Sequence, residues 1–126
     1  MITVTPEQFE ALVQQAVERI PARFAEYLDN VAFLVADEPT REQLAANGQF
    51  HNETEVLLGL YEGIPLPERG DGYNLVLPDT ITVFRRAHQQ VAQDLADLER
   101  DVHETVWHEV AHYFGLDHDQ IDKLHL

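Results

Sequence analysis

The chain has 126 residues, 23 of them acidic and 8 basic, for a formal net charge of −15. That length fits one domain spanning residues 1–126, and an apolar content of 44% is enough for one modest core. A surface this negative repels phosphate, which argues against nucleic acids and anionic membranes as partners. There is no cysteine, so disulfide frameworks, Cys-ligated zinc fingers, iron–sulfur sites and thiol nucleophiles are excluded. The first residues lack the basic and apolar regions of a secretory signal, and no apolar run approaches the ~20 residues of a membrane helix. The expectation is a cytoplasmic protein.

Thr5 is placed to cap a helix that has Pro6 at its first position. Phe9, Leu12, Val13, Ala16, Val17 and Ile20 recur at helical spacing, so residues 6–19 read as an amphipathic helix. Pro21 interrupts it, and a short helical turn over 22–28 is expected to follow. Residues 30–36 are β-branched and apolar, the pattern of a buried strand. The polar stretch 37–55 has weak periodicity and reads as a long loop. Residues 56–61 read as a strand, followed by a Gly- and Pro-rich connection. Short strands are expected at 74–77 and 81–85.

From about residue 89 the period changes to that of a helix. Val91, Leu95, Leu98, Val102, Val106, Val110 and Tyr113 form one stripe three or four residues apart, predicting a single long helix that ends near Gly115. A short helical tail over 120–126 is expected to close the chain. The predicted fold class is α+β: a long C-terminal helix and an N-terminal helix packed on a small sheet of three or four strands.

The chemistry sits at the end of the long helix. Residues 108–118 read His-Glu-Val-Ala-His-Tyr-Phe-Gly-Leu-Asp-His, the pattern H-E-x-x-H-x-x-G-x-x-H. His108 and His112 lie one helical turn apart, so their imidazoles project from one side and suit a single Zn²⁺ at about 2.0–2.1 Å. Glu109, rotated by about 100°, flanks that ion and acts as general base on a metal-activated water. Gly115 allows a left-handed turn after the helix, which brings His118 back as the third ligand. His51, His88, His103 and His125 read as surface or capping histidines. Asp94, Asp97, Asp101 and Glu104 share the broad side of the metal histidines and read as a solvated face. Trp107, Tyr113 and Phe114 read as packing residues.

The motif resembles that of the zincin metallopeptidases, and its extended form resembles the metzincins. The whole chain is similar to the bacterial minimal zincin-like metallopeptidases. That similarity is carried by DNVAFLVADEP (29–39), LLGLYEGIPLPERG (57–70), LPDTITVFRR (77–86) and ETVWHEVAHYFGLDHDQI (104–121). The resemblance implies a compact zincin-like fold, Zn²⁺ at the histidine pair and a peptide or protein substrate. The sequence departs from the metzincins in having no methionine after the motif, since its one methionine is Met1. It departs from the gluzincins in having no Glu after His118. The third ligand is therefore local, upstream or absent; His118 is the expected one, and the resemblance to the minimal family, in which this position is often acidic, implies Asp117 and Asp119 as alternatives.

Two other readings use the same residues. A non-catalytic zinc-stabilised interaction module needs the ligands but not the base. A metal-dependent endoribonuclease family shares the ligand spacing, in the form H-G-x-x-H-x-x-G-x-D-H, but has Gly where this chain has Glu109; the negative charge also opposes RNA. For a peptidase, an extended substrate is expected to pair with an exposed sheet edge at 56–61 or 81–85.

Overall fold

The computed structural model describes residues 1–46, 56–63 and 78–116. Helix α1, Pro6–Glu18, begins where the capping pattern places it. The Thr5 hydroxyl accepts from the Gln8 N–H at 3.1 Å, and the Gln8 side chain accepts from the Thr5 N–H at 2.8 Å. This reciprocal box satisfies two N–H groups that the first turn leaves without partners. Helix α2 is a single turn, Ala22–Ala25, shorter than the sequence suggests.

Strands β1 (Val31–Ala36), β2 (Gly59–Glu62) and β3 (Asp79–Phe84) form one sheet in the order β1-β3-β2. β1 runs parallel to β3 with Phe33 opposite Ile81, and β2 runs antiparallel with Tyr61 opposite Ile81. β3 is therefore central, which removes 81–85 as a candidate edge and leaves β2 of the two segments considered. Central strands are buried on both faces, and Ile81, Val83 and Phe84 are all fully buried. The strand expected at 74–77, the helical tail at 120–126 and residues 47–55 lie outside the described residues.

Three expectations are corrected. The stretch 37–55 is not all loop, because helix α3 occupies Arg41–Ala46. A second capping box starts it: Thr40 accepts from the Gln43 N–H at 3.0 Å, and Gln43 accepts from the Thr40 N–H at 2.9 Å. The Thr-x-x-Gln signal was present, but a six-residue helix is too short to show a period. The long helix is also two helices. α4 covers Arg85–Val91, and α5 covers Leu95–Tyr113. Ala92 turns to extended backbone, and the Asp94 carboxylate caps the new start by accepting from the Asp97 N–H at 2.8 Å. Arg85, expected as the end of a strand, instead opens α4 and ties it to Asp37 and to the Val4 carbonyl.

The apolar stripe of α5 is the centre of the core. Leu98, Val102, Val106 and Val110 are all 1% exposed or less. Burying each such side chain stabilises the fold by about 1.5–3 kcal/mol before entropy is counted. They pack with Phe9, Val13 and Ala16 of α1 and with the sheet face carrying Val31, Phe33, Val35, Ile81 and Val83. Val91 and Leu95, read as part of the stripe, are 45% and 49% exposed and lie at the surface. Leu60, Phe84 and Ala87 form a separate buried cluster with Ala36 and the chain before β2. The α+β class thus stands, with α5 fixed between α1 and the sheet. No helix among the described residues is long and apolar enough to cross a membrane.

Candidate metal centre

α5 presents three donor side chains from its last turns. Suitable donor atoms of His108, Glu109 and His112 all lie within 4.8 Å of one another. The two imidazole rings have centroids 4.5 Å apart, as the four-residue spacing requires. Two bonds of about 2.0–2.1 Å to one ion place the imidazole nitrogens within roughly 4 Å of each other, close to the spacing of His108 and His112. The two imidazoles, with the Glu109 carboxylate beside them, suit a borderline-soft divalent cation. His118, with its alternatives Asp117 and Asp119, lies outside the described residues.

The pair faces a cleft rather than open solvent. An open cavity of about 480 Å³ is lined on one side by residues 56–59 and on the other by Asp101, Glu104, Thr105, His108, Glu109 and His112 of α5. The side chain of His112 is 40% exposed and that of Glu109 only 8%. Asp101 and Glu104, read as a solvated face, thus line the same cleft as the histidines. Asp94 and Asp97 do not: one caps α5, and the other pairs with Arg100 at 2.6 Å.

Burial of Glu109 is compensated by two contacts to one oxygen. Its Oε1 accepts from the Tyr61 backbone N–H at 2.9 Å and lies 3.2 Å from His112 Nδ1. A carboxylate only accepts, so a hydrogen bond there places the imidazole proton on Nδ1. The lone pair of Nε2 is then available to a metal. The Glu109 carboxylate also holds the His112 pKa above its ordinary value near 6.5, against the opposing effect of burial.

The sequence reading missed Gly59 and Tyr61. A Cβ on Gly59 would lie 2.6 Å from Thr105 Cγ2 and 3.4 Å from Glu109 Cγ. The strand therefore approaches the active helix more closely than any residue with a side chain allows. A lone Gly inside an apolar strand was the available signal. Two residues on, Tyr61 packs edge-on against Tyr113 with centroids 5.9 Å apart and donates its hydroxyl to the buried Asp79 carboxylate at 2.6 Å.

The end of α5 is built as its Gly predicts. Gly115 has φ 75°, its N–H reaches the His112 carbonyl at 2.9 Å, and the Leu116 N–H reaches the Ala111 carbonyl at 3.0 Å. This paired closure reverses the chain one turn beyond the second histidine. Trp107, Tyr113 and Phe114 are packing residues as expected, Phe24 stacking edge-on against both Trp107 and Phe114. His88 departs from its reading as a surface or capping residue: it is fully buried. His103 is partly buried, and His51 and His125 lie outside the described residues.

A search of curated proteins finds no significant match. Among solved structures, a conserved hypothetical protein from T. thermophilus is similar at 26% identity and a TM-score of 0.60. The match covers 88% of this chain and 94% of that one. The family described as Zincin-like metallopeptidase matches residues 28–126, from just after α2 through the motif. That span is well over half of the sequence, and the chain belongs to the Zincin-like metallopeptidase family.

Proposed function

We propose that this is a zinc-dependent peptidase of cytoplasmic proteins or peptides, formed by a single domain, with His108, His112 and His118 as ligands and Glu109 as general base. The observation that carries the reading is the placement of Glu109. It lies beside the two histidines, is almost wholly buried, and still forms part of the cleft lining. A buried carboxylate that reaches a cleft beside two imidazoles is suited to moving a proton there.

When bound, Zn²⁺ supplies Lewis acidity, which lowers the pKa of a water towards about 7 and polarises a carbonyl. The chain's own groups do the rest. His108 and His112 fix the position of the ion. Glu109 accepts the proton of the attacking water and delivers it to the departing amine nitrogen, so the carboxylate is regenerated at the end of the cycle. An extended peptide lies along the outer edge of β2, the strand that leads out of the cleft wall at 56–59, and pairs with it through main-chain hydrogen bonds.

The test is Glu109→Gln, assayed with a quenched fluorogenic peptide library on zinc-loaded protein. We expect stoichiometric zinc in the variant and a fall in turnover of about 10²–10⁴-fold. A variant that cleaves as fast as wild type shows that Glu109 is not the base. If zinc is bound and no peptide is cleaved by either protein, the non-catalytic zinc-stabilised module takes the place of the peptidase. Metal content of His118→Ala assigns the third ligand: a sharp loss identifies His118, and full retention moves the role to Asp117 or Asp119. The endoribonuclease reading is disfavoured because its motif has Gly at the position of Glu109.

A further inference from the structure

We infer that strand β2 is a positioning element for the base: the Tyr61 N–H anchors Oε1 of Glu109 and leaves Oε2 as the oxygen that handles the proton. This rests on reading Glu109 as the general base.

The backbone alternation of β2 supplies the donor. In an antiparallel strand, successive residues direct their N–H and C=O groups alternately towards the partner and away from it. The Phe84 N–H reaches back to the Leu58 carbonyl at 3.0 Å, so residues 58, 60 and 62 carry the ladder to β3. Residues 59 and 61 point outward. An outward N–H on an edge strand normally takes water, but that of Tyr61 is bonded to Glu109 Oε1 at 2.9 Å. The His112 Nδ1 contact falls on the same oxygen. Oε2 has no hydrogen-bond partner among the described residues, and Glu109 lines the cleft. One oxygen is thus fixed by the fold, and the other is open to the cleft.

Gly59 makes the bond possible. Its missing Cβ lets β2 settle against Thr105 and Glu109, and any side chain there meets Thr105 Cγ2 at 2.6 Å. A displacement of the strand by even part of an ångström lengthens the Tyr61–Glu109 bond, which spans 48 residues of sequence and has no slack from a flexible side chain on the Tyr61 side. The anchor also bears on the substrate. With the Tyr61 N–H taken, the outward N–H that remains for a peptide in β2 is that of Gly59, which lines the same cleft as the histidines.

Amide hydrogen exchange read by NMR tests the anchor without any substrate. In the wild type the Tyr61 amide exchanges slowly despite lying on an outer edge. In Glu109→Ala it accelerates by at least about tenfold, while the amides of Ile81 and Val83 do not change. Gly59→Ala has the same effect on the Tyr61 amide. It lowers kcat on the fluorogenic peptide library by about 10–10²-fold, with KM and zinc content little changed. Gly59→Ala combined with Thr105→Ser, which removes the clashing Cγ2, recovers both the slow exchange and the turnover. An unchanged Tyr61 exchange rate in Glu109→Ala overturns the anchor, whatever the enzyme does. An intact anchor in a protein that hydrolyses no peptide leaves the positioning in place and removes the base role instead. Turnover unchanged in Gly59→Ala while the amide is released shows that the anchor does not serve catalysis.

Discussion

His88 is fully buried, and neither ring nitrogen has a hydrogen-bond partner among the described residues. It packs against Phe9 with ring centroids 5.6 Å apart. Burial penalises the charged imidazolium and lowers the pKa to about 4 from an ordinary value near 6.5. The folded state therefore holds His88 neutral, while the unfolded chain takes up a proton as pH falls below 6.5. Stability from this residue is complete above that pH and is lost between pH 6.5 and 4, by about 3 kcal/mol over the interval. We expect His88→Leu to match or exceed the wild type at pH 7 and to lack this part of the acid loss in urea titrations at pH 7, 5.5 and 4. Equal pH slopes for the two proteins would rule out the assignment. Nothing local in the sequence marks His88 as buried. It sits in a seven-residue helix whose period is too short to define a face.

At the scale of elements, the separation of α4 from α5 is marked by a cap: Asp94 accepts from the Asp97 N–H, and the Asp97 carboxylate accepts from the Gln93 N–H. The stripe from Val91 to Tyr113 runs through the break without a change of phase, which is why the sequence suggests one helix. The cap decides otherwise, and extended backbone at Ala92 ends α4. Removing the cap in Asp94→Ala costs about 1 kcal/mol. The expected fall in Tm is about 3–5 °C by circular dichroism. No fall in Tm would show that the start of α5 is held by packing alone. The registers of β1, β2 and β3 are legible only in part for a related reason. Apolar runs identify strands, but the order β1-β3-β2 comes from contacts between segments far apart in the chain.

For the whole molecule, the acidic surface and the metal site act on stability in opposite directions. A net charge of −15 destabilises the compact state by self-repulsion. A cation held only by the folded chain stabilises it by mass action, by about 2.7 kcal/mol at a hundredfold excess over Kd. Added Zn²⁺ is expected to raise Tm, EDTA to reverse the rise, and His112→Ala to abolish the rise, each measured against the same protein without metal. A rise of equal size in His112→Ala would place the stabilising ion elsewhere on the acidic surface. The salt dependence separates the two effects. Sodium chloride screens the repulsion and raises Tm in both proteins alike.

The sequence by itself determined what helix geometry enforces locally. His108 and His112 share a side of α5 because four residues make about one turn. Gly115 closes that helix because it adopts a left-handed φ at little cost. Thr5 starts α1 because its hydroxyl meets the third amide of the turn. These are interactions within three to five residues, so the order of the letters contains them. Only the tertiary structure decided that β3 is central and β2 the cleft-side edge, that His88 enters the core, and that the Tyr61 N–H anchors Glu109. Each depends on surfaces that meet across tens of residues, and such contacts are set by how close two backbones come. At Gly59 that distance is fixed by an absent side chain, whose effect shows only when Thr105 stands opposite.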